Sequence, residues 1–321
     1  MIALETVSSA LVICLFLYLV MGGADFGGGI VDLFTFGPLK EKQQTQIRET
    51  LAPIWEANHV WLILIVVVLF TAFPKAFAYF CTVLHVPITL MLLGIVFRGA
   101  AFAFEKYDPA TLARRRWKRW FNYSSLLTPF FLGVLLGAIT EGRLPAPGQI
   151  TTPDFFLTWI SPLTISVGIF TVVLCFFLAA VYLTCETSHL TLAQDFAHLA
   201  KRSEIFLVFA GGVVLFIGRF AIFQTLIGIA ILTLTSLLML LTAFFLDTGR
   251  FRWAKLTAPS CVALILLGWV CDQLPFLIRP HFTFAASAAN EITLNWLAWS
   301  LGIGALLLVP ALRLLFKIPV C

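Results

Sequence analysis

The stretch 50-TLAPIWEANHVWLIL-64 places polar and ionisable side chains at the start of one of the most apolar segments of the chain. Pro53 suits the first turn of a helix, and Glu56 then lies near the helix N-terminus, where the macrodipole favours a carboxylate. Glu56 and His59 are three residues apart and therefore share one helix face. Ionisable residues at a membrane segment are costly, so this stretch is the first candidate functional region. The simpler interpretation is a capped helix start with its two tryptophans in an aromatic belt.

The composition around this stretch is that of a membrane protein. Of the 321 residues, 60% are hydrophobic and only 12% are charged, and the mean hydropathy is +0.99. Soluble domains carry about a quarter charged residues, so we predict an all-α, polytopic integral membrane protein. The net charge of +5 comes from short loops, which argues against a nucleic-acid partner. The seven cysteines form no CxxC or CxxCH motif, so we expect neither a zinc site nor an attached haem nor a disulfide framework.

About twenty residues per membrane span predict nine helices in a single integral membrane domain over 1–321. Helices one to four fall within about 1–141 and helices five to nine within about 160–321. The first span lacks a cleavage site and is predicted to be retained. The predicted helices lie near Ala3–Gly22, Pro53–Phe73, Ala76–Phe104, Ser124–Ile139, Leu163–Thr184, Ile205–Phe223, Thr225–Leu246, Leu256–Leu277 and Leu294–Phe316.

The distribution of lysine and arginine predicts the orientation of these helices. Most of the 21 basic residues fall in the loops after helices one, three, five and seven and in the C-terminal tail. Cytoplasmic loops carry the excess of basic residues, so we predict the N-terminus outside and the C-terminus in the cytoplasm. This topology puts Asp25 and Asp32 on the same side as Glu56 and His59. Asp272, at the opposite end of helix eight, is predicted to face solvent.

A second candidate region is 22-GGADFGGG-29, which is predicted to end the first span. Its glycines favour close approach of neighbouring helices, so a packing surface is the simpler interpretation. Asp25 is harder to explain by packing, because desolvation raises the pKa of a carboxyl group and suits it to proton transfer near neutral pH. Arg98 ends the apolar run of helix three and can either pair with Asp25 or Glu56 or extend to the membrane surface.

The sequence also allows a metal site. Glu186 and His189 repeat the Glu-x-x-His spacing of Glu56 and His59, and two such pairs with further carboxylates form di-iron sites in helical bundles. Glu105 or Glu204, together with Asp25, could complete such a site. Because spacing without geometry is weak evidence, this hypothesis ranks below proton transfer.

Four segments resemble subunit II of the cytochrome bd-type quinol oxidases. They follow the order of that family: GGADFGGG in helix one, APIWEANHVWLI at the start of helix two, VFRGAAFAF at the end of helix three, and EITLNWLAW at 291–299. The segment WEANHVWLI is the most specific. The resemblance spans most of the chain and implies two four-helix bundles plus one peripheral helix.

The resemblance further implies a bacterial cytoplasmic (inner) membrane complex with a homologous subunit I, leaving open a small accessory subunit and bound lipids. Subunit I would hold the b and d haems and oxidise quinol, and the complex would reduce O₂ to water. This chain would bind no cofactor or metal through ligands of its own, would support assembly and would contribute to a proton pathway from the cytoplasm. The residues implied in that pathway are Asp25, Glu56, Asn58, His59 and Arg98.

Two positions depart from the family pattern. Gly23 and Ala103 stand where the family often has carboxylates, and Glu105 would lie about 200° around the helix from Ala103. The proton route is therefore expected to be shorter or differently connected. A secondary transporter remains an alternative, although the second half has no motif that an inverted repeat would require. A purely structural subunit is the third interpretation.

Overall fold

The computed structural model describes residues 2–36, 39–107, 111–152, 154–187 and 189–315. The side chains at 49, 51–57, 106–107, 111–114, 154, 309 and 313–315 lie outside this description. The fold is all-α, as predicted. Its long helices are α1 Ile2–Leu33, α2 Lys40–Ala72, α3 Pro74–Val83, α4 His85–Tyr107, α5 Thr111–Glu141, α7 Pro162–Glu186, α8 Leu190–Gly218, α9 Leu226–Asp247, α10 Phe251–Gln273 and α12 Glu291–Leu315.

The remaining elements are short and lie between these helices. They are α6 Asp154–Leu157, a 3₁₀ turn Ala221–Gln224, and an antiparallel pair β1 Phe276–Ile278 and β2 Phe282–Thr283 followed by α11 Phe284–Ser287. The predicted eighth helix, which is α10, was expected to reach Leu277 but ends at Gln273, because Pro275 follows and the chain turns into β1. The predicted sixth helix, which corresponds to α8, was expected to reach Phe223. It ends at Gly218, because Arg219 adopts the left-handed conformation that terminates helices.

Within the described residues, seven helices are long and apolar enough to cross a membrane, or eight if α2 and α3 count as one broken span. They are α1, α4, α5, α7, α9, α10 and α12. Helix α8 is not among them, because Lys201, Arg202 and Glu204 precede its apolar part. The chain is therefore a multi-pass membrane protein, whereas the count of nine and the orientation stay predictions.

Helix α1 continues well beyond Gly22, where the first span was predicted to end. At 1.5 Å per residue its 32 residues reach roughly 48 Å, longer than the roughly 30 Å hydrocarbon core of a bilayer. The glycines stay helical because neighbouring helices pack directly on them. A Cβ at Gly23 would lie 2.6 Å from Leu178, and one at Gly27 would collide with the Cys175 carbonyl oxygen of α7. Tertiary packing thus overrides the poor helix propensity of glycine.

The predicted third helix is divided at Leu84, and a sharp bend precedes it. Helices α2 and α3 meet at Phe73 and Pro74 with a bend of 117°, and a new helix, α4, begins at His85. The prediction of one helix over Ala76–Phe104 was wrong, because hydropathy does not distinguish α3 from the start of α4. Helix α3 is held in place by the Tyr79 hydroxyl, which donates to the Pro145 carbonyl, and by a tilted contact between the Tyr79 and Phe282 rings.

The helices form two groups, as the resemblance implied. Helices α1, α2, α4 and α5 form the first bundle, and α7 to α10 form the second. Helix α7 also packs along α1 and α5, so it joins the two bundles, and α12 lies at the edge against α1 and α2.

One end of the bundles collects polar contacts between helix termini, and we call it the basic face. Its ion pairs join Arg48 to Glu105, Lys118 to Asp32, Lys201 to Asp247, and Lys255 to Glu186. The basic face corresponds to the side predicted to be cytoplasmic. At the opposite end, Asp272 is buried rather than facing solvent, because it binds Arg279 at 3.0 Å and accepts from the Ile222 amide at 3.1 Å.

The contact between α1 and α7 gives a test of this packing. We expect Gly27→Ala to destabilise the protein by about 1–3 kcal/mol, because the added methyl group meets a backbone carbonyl that cannot rotate away. Gly302→Ala in α12 is the matched control, since nothing lies within 4 Å of its Cβ position. The measurement is the thermal unfolding of both variants in detergent. Equal melting temperatures for the two variants would contradict the packing of α1 on α7.

Candidate functional site

A buried ion pair lies inside the first bundle. Arg98 of α4 donates from Nη1 to Asp25 Oδ2 at 2.7 Å and from Nη2 to Asp25 Oδ1 at 2.6 Å. Nη2 also donates to the Asp25 carbonyl at 2.9 Å, and Nε donates to Ser125 Oγ of α5 at 3.0 Å. The two side chains are 4% and 0% exposed, so the pair is removed from solvent. Three helices, α1, α4 and α5, are thereby joined through one guanidinium group.

Aromatic rings enclose this pair. The Arg98 guanidinium carbon lies 4.9 Å from the centre of the Phe26 ring and 4.7 Å from that of Phe121. Ring faces attract a cation, and a bidentate carboxylate contact suits the planar guanidinium. The sequence suggested an isolated carboxyl at Asp25 whose proton affinity depends on burial. The structure instead gives it a full counter-charge, which decides between the two roles proposed for Arg98: it pairs with Asp25.

Further polar contacts lie along α5 between this ion pair and the basic face. Lys118, Asn122 and Ser125 follow one another at spacings of four and three residues and so share one face of the helix. Asn122 Nδ2 donates to Asp32 Oδ2 at 2.7 Å, and Lys118 Nζ lies 3.3 Å from Asp32 Oδ1. Lys118 is the most exposed of this group, with 20% of its side chain accessible. Charged and amide groups therefore extend from solvent toward Arg98.

On the other side of the ion pair, two buried polar groups lie without protein partners. Asn58 of α2 is 0% exposed, and neither its amide nitrogen nor its oxygen is hydrogen-bonded within the described residues. It lies beside Gly22, whose Cβ position is 2.9 Å from Asn58 Nδ2. The Tyr18 hydroxyl is likewise buried and unbonded. Buried amides without partners in proteins are commonly satisfied by internal water.

We refer to these residues together as the polar column. Its members on α1, Tyr18, Asp25 and Asp32, are seven residues apart, which is about two helical turns, and they therefore face the same way. In order from the basic face the column consists of Lys118, Asp32, Asn122, Ser125, Arg98, Asp25, Asn58 and Tyr18.

The column ends at Tyr18 against an apolar cavity of about 400 Å³. The cavity lies between α1, α2, α4, α5 and α10, and its lining is almost entirely hydrocarbon, including Leu11, Leu15, Ile65 and Met91. Water and ions are unfavourable in such surroundings. The column is therefore in contact with solvent at the basic face and bordered by apolar side chains at its other end.

Three of the five predicted site residues meet in this column: Asp25, Asn58 and Arg98. His59 is partly buried in α2 and takes part in further interactions. Glu56 lies in the same helix, but its side chain falls outside the described residues, so its predicted role stays a prediction.

Sequence reasoning missed several members of the column. Asp32 was predicted to lie on the same side as Asp25 but was given no role, and Lys118 was counted only among the basic loop residues. Asn122, Ser125 and Tyr18 were not considered. The spacing of 118, 122 and 125 on α5 was the available signal, since it aligns three polar side chains on one helix face.

The predicted metal ligands whose side chains the structure describes do not come together. Glu186 binds Lys255 at 2.6 Å, and His189 is exposed at the start of α8. Glu105 pairs with Arg48 at 2.5 Å, and Glu204 lies in the second bundle. Within the described part of the chain, no group of three or more His, Cys, Asp and Glu side chains could hold a metal ion. The di-iron hypothesis gains no support from this geometry.

Comparisons of the sequence with a family model and with curated proteins all point to the same protein family. The model of the family described as cytochrome bd terminal oxidase subunit II matches residues 5–318. Cytochrome bd ubiquinol oxidase subunit 2 of Bacillus subtilis is 28% identical over 165 residues, which cover 51% of this chain and 48% of that protein. Cytochrome bd-I ubiquinol oxidase subunit 2 of Escherichia coli is 29% identical over 125 residues, covering 39% of this chain and 32% of that protein. The matched regions thus span about half or less of these relatives.

One solved structure has the same fold along the whole chain. A chain in the structure of bd oxidase from Geobacillus thermodenitrificans aligns with a TM-score of 0.82 over 99% of this chain and 98% of that chain. The sequence identity is 23%, so this similarity establishes the fold. It agrees with the predicted polytopic all-α class.

The ion pair gives a direct test of the site. Asp25→Asn or Arg98→Met alone leaves one uncompensated buried charge, and we expect each to destabilise the protein by about 3–5 kcal/mol. The double variant removes both charges, so its loss of unfolding free energy should be smaller than the sum of the losses in the two single variants. The measurement is a double-mutant cycle on thermal unfolding in detergent. Additive losses would contradict the direct contact between Asp25 and Arg98.

Proposed function

Because the chain belongs to the family of cytochrome bd terminal oxidase subunit II, we propose that it is subunit II of a quinol oxidase of the bacterial cytoplasmic membrane. The complex would couple quinol oxidation to the reduction of O₂ to water. The family match over 5–318 and the fold shared with a bd oxidase chain support this function over a secondary transporter.

In the proposed complex, a homologous subunit I holds the b and d haems and oxidises quinol. When bound there, the haems supply the electron transfer and the O₂ chemistry. This chain packs against subunit I, completes the helical assembly and contributes to proton delivery. Its own buried ionisable groups in the first bundle are committed to ion pairs, which fits a role without haem ligands.

The observation that carries the proposed proton role is the polar column from Lys118 to Asp25. Reduction of O₂ consumes protons inside a dry bundle, so a path of hydrogen-bonding groups is needed. Lys118 and Asp32 are close to solvent at the basic face, and Asn122 and Ser125 continue toward the interior. Glu56, Asn58 and His59 of α2 would connect the column toward the basic face, where Arg48 of the same helix lies.

Arg98 determines how Asp25 would act in this path. A proton that binds Asp25 neutralises the carboxylate and leaves the guanidinium charge without its partner in a buried site. That state is costly, so Asp25 would pass the proton on rather than store it. Asn58, with both amide atoms unbonded to any residue that the structure describes, is suited to hold a water molecule beside Asp25. The apolar cavity beyond Tyr18 would keep protons from continuing to the opposite side.

The subunit assignment is tested by purifying this chain alone and together with its proposed subunit I. We expect haem absorption bands and quinol-dependent O₂ uptake only in the co-purified complex, because the haem ligands are proposed to lie in subunit I. Absorption spectroscopy with metal analysis measures both samples. Iron without haem in the lone chain would contradict the proposal and favour the Glu-x-x-His ligands instead.

A further inference from the structure

The second bundle contains a buried carboxyl group that the proposed proton path does not use. Glu204 lies in α8, immediately before the apolar part of that helix, and is 7% exposed. Its Oε2 atom accepts no hydrogen bond from any residue that the structure describes. No lysine or arginine of the described residues forms an ion pair with it. In both respects Glu204 differs from Asp25, whose two carboxylate oxygens are held by Arg98.

The charged and titratable groups around Glu204 do not neutralise it. Lys201, one turn earlier on α8, is already paired with Asp247 of α9. Asp247 itself acts on Glu204 as a second negative charge. From α10, the buried Cys261 thiol lies within electrostatic range. On α7, Tyr182 and Glu186 both contact Lys255 instead.

Polar side chains near Glu204 and Cys261 already have hydrogen-bond partners. Thr242 of α9 and Thr257 of α10 share a hydrogen bond of 2.7 Å between their hydroxyl oxygens. Ser203 donates to the Ala200 carbonyl at 2.7 Å. Burial, and to a smaller extent the charge of Asp247, raise the pKa of Glu204 to about 7. A carboxyl group in such surroundings is favoured in its neutral form.

We propose that Glu204 is a proton-binding site of the second bundle, separate from the polar column, and that its proton keeps α8 packed on α9. The exposed Lys201–Asp247 pair lies next to it at the basic face and gives the proton a short way to solvent. Loss of the proton places an uncompensated carboxylate between α8 and α9 and weakens their packing. This proposal does not depend on the haem partner or on quinol oxidation.

The sign of the resulting pH dependence follows from the direction of the pKa shift. Between the ordinary pKa of 4.5 and about 7, the folded protein holds a proton at Glu204 that the unfolded chain has released. Stability from this group is therefore complete below that range, falls as pH rises through it, and levels off above about pH 7.

The test compares thermal unfolding at about pH 5.5 and about pH 7.5 in the purified complex that contains this chain. We expect the melting temperature of the native protein to fall with rising pH, and the fall to be about 2–5 °C smaller in Glu204→Gln, which cannot titrate. Glu186→Gln is the matched control on the same face, because its carboxylate is ion-paired with Lys255. The melting temperature of Glu186→Gln should change with pH as that of the native protein does. Parallel curves for the native protein and Glu204→Gln would overturn the proposal.

Infrared spectroscopy tests the same site independently of stability. The native complex should show a protonated carboxyl band at about pH 6 that titrates with a midpoint near pH 7, and Glu204→Gln should lack it. If Glu204→Gln does not assemble, the test is whether the native complex shows a protonated carboxyl band that titrates near pH 7. The absence of such a band overturns the proposal. Loss of the band on adding NaCl or KCl at constant pH would identify a cation site instead, and would also overturn it.

Discussion

The Asp25–Arg98 ion pair is the interaction on which the first bundle depends. Each charge alone would be costly in the interior of a membrane protein. Together they neutralise each other through a bidentate contact between α1 and α4, and Arg98 also donates a hydrogen bond to Ser125 of α5. The position of Asp25 fixes how far α1 must extend as a helix, and the position of Arg98 fixes how α4 faces α1 and α5. The other members of the polar column then line up on the faces that these two residues define.

Close backbone approach makes this arrangement sterically feasible. Gly22 leaves room for Asn58, Gly27 lets α1 contact the backbone of α7, and Gly29 accommodates Ser125. The same glycines therefore serve packing and bring polar groups next to Asp25. The packing and functional interpretations of GGADFGGG are thus compatible rather than exclusive. The second bundle differs, because Glu204, one of its buried acids, has no counter-charge among the described residues.

Hydropathy and family motifs predicted the all-α membrane class and the segments that contain most helices. They also brought together Asp25, Asn58 and Arg98. They could not predict that α1 continues through its glycines, because that depends on contacts with α7 that are distant in sequence. The break at Leu84 and the burial of Asp272 were missed for the same reason: local polarity does not reveal tertiary partners. Ser125 and Asn122 lack any strong motif, so only the structure identifies them.

The most direct test of the proton role is the rate of proton uptake during reaction of the reduced complex with O₂, measured with a pH-indicator dye. Asn58→Leu fills the space beside Gly22 with hydrocarbon but leaves the Asp25–Arg98 pair untouched. The account predicts normal assembly and haem content with proton uptake slowed by about tenfold or more, since the polar path is interrupted. Uptake at the native rate would contradict a path through Asn58 and would leave the column with a structural role only.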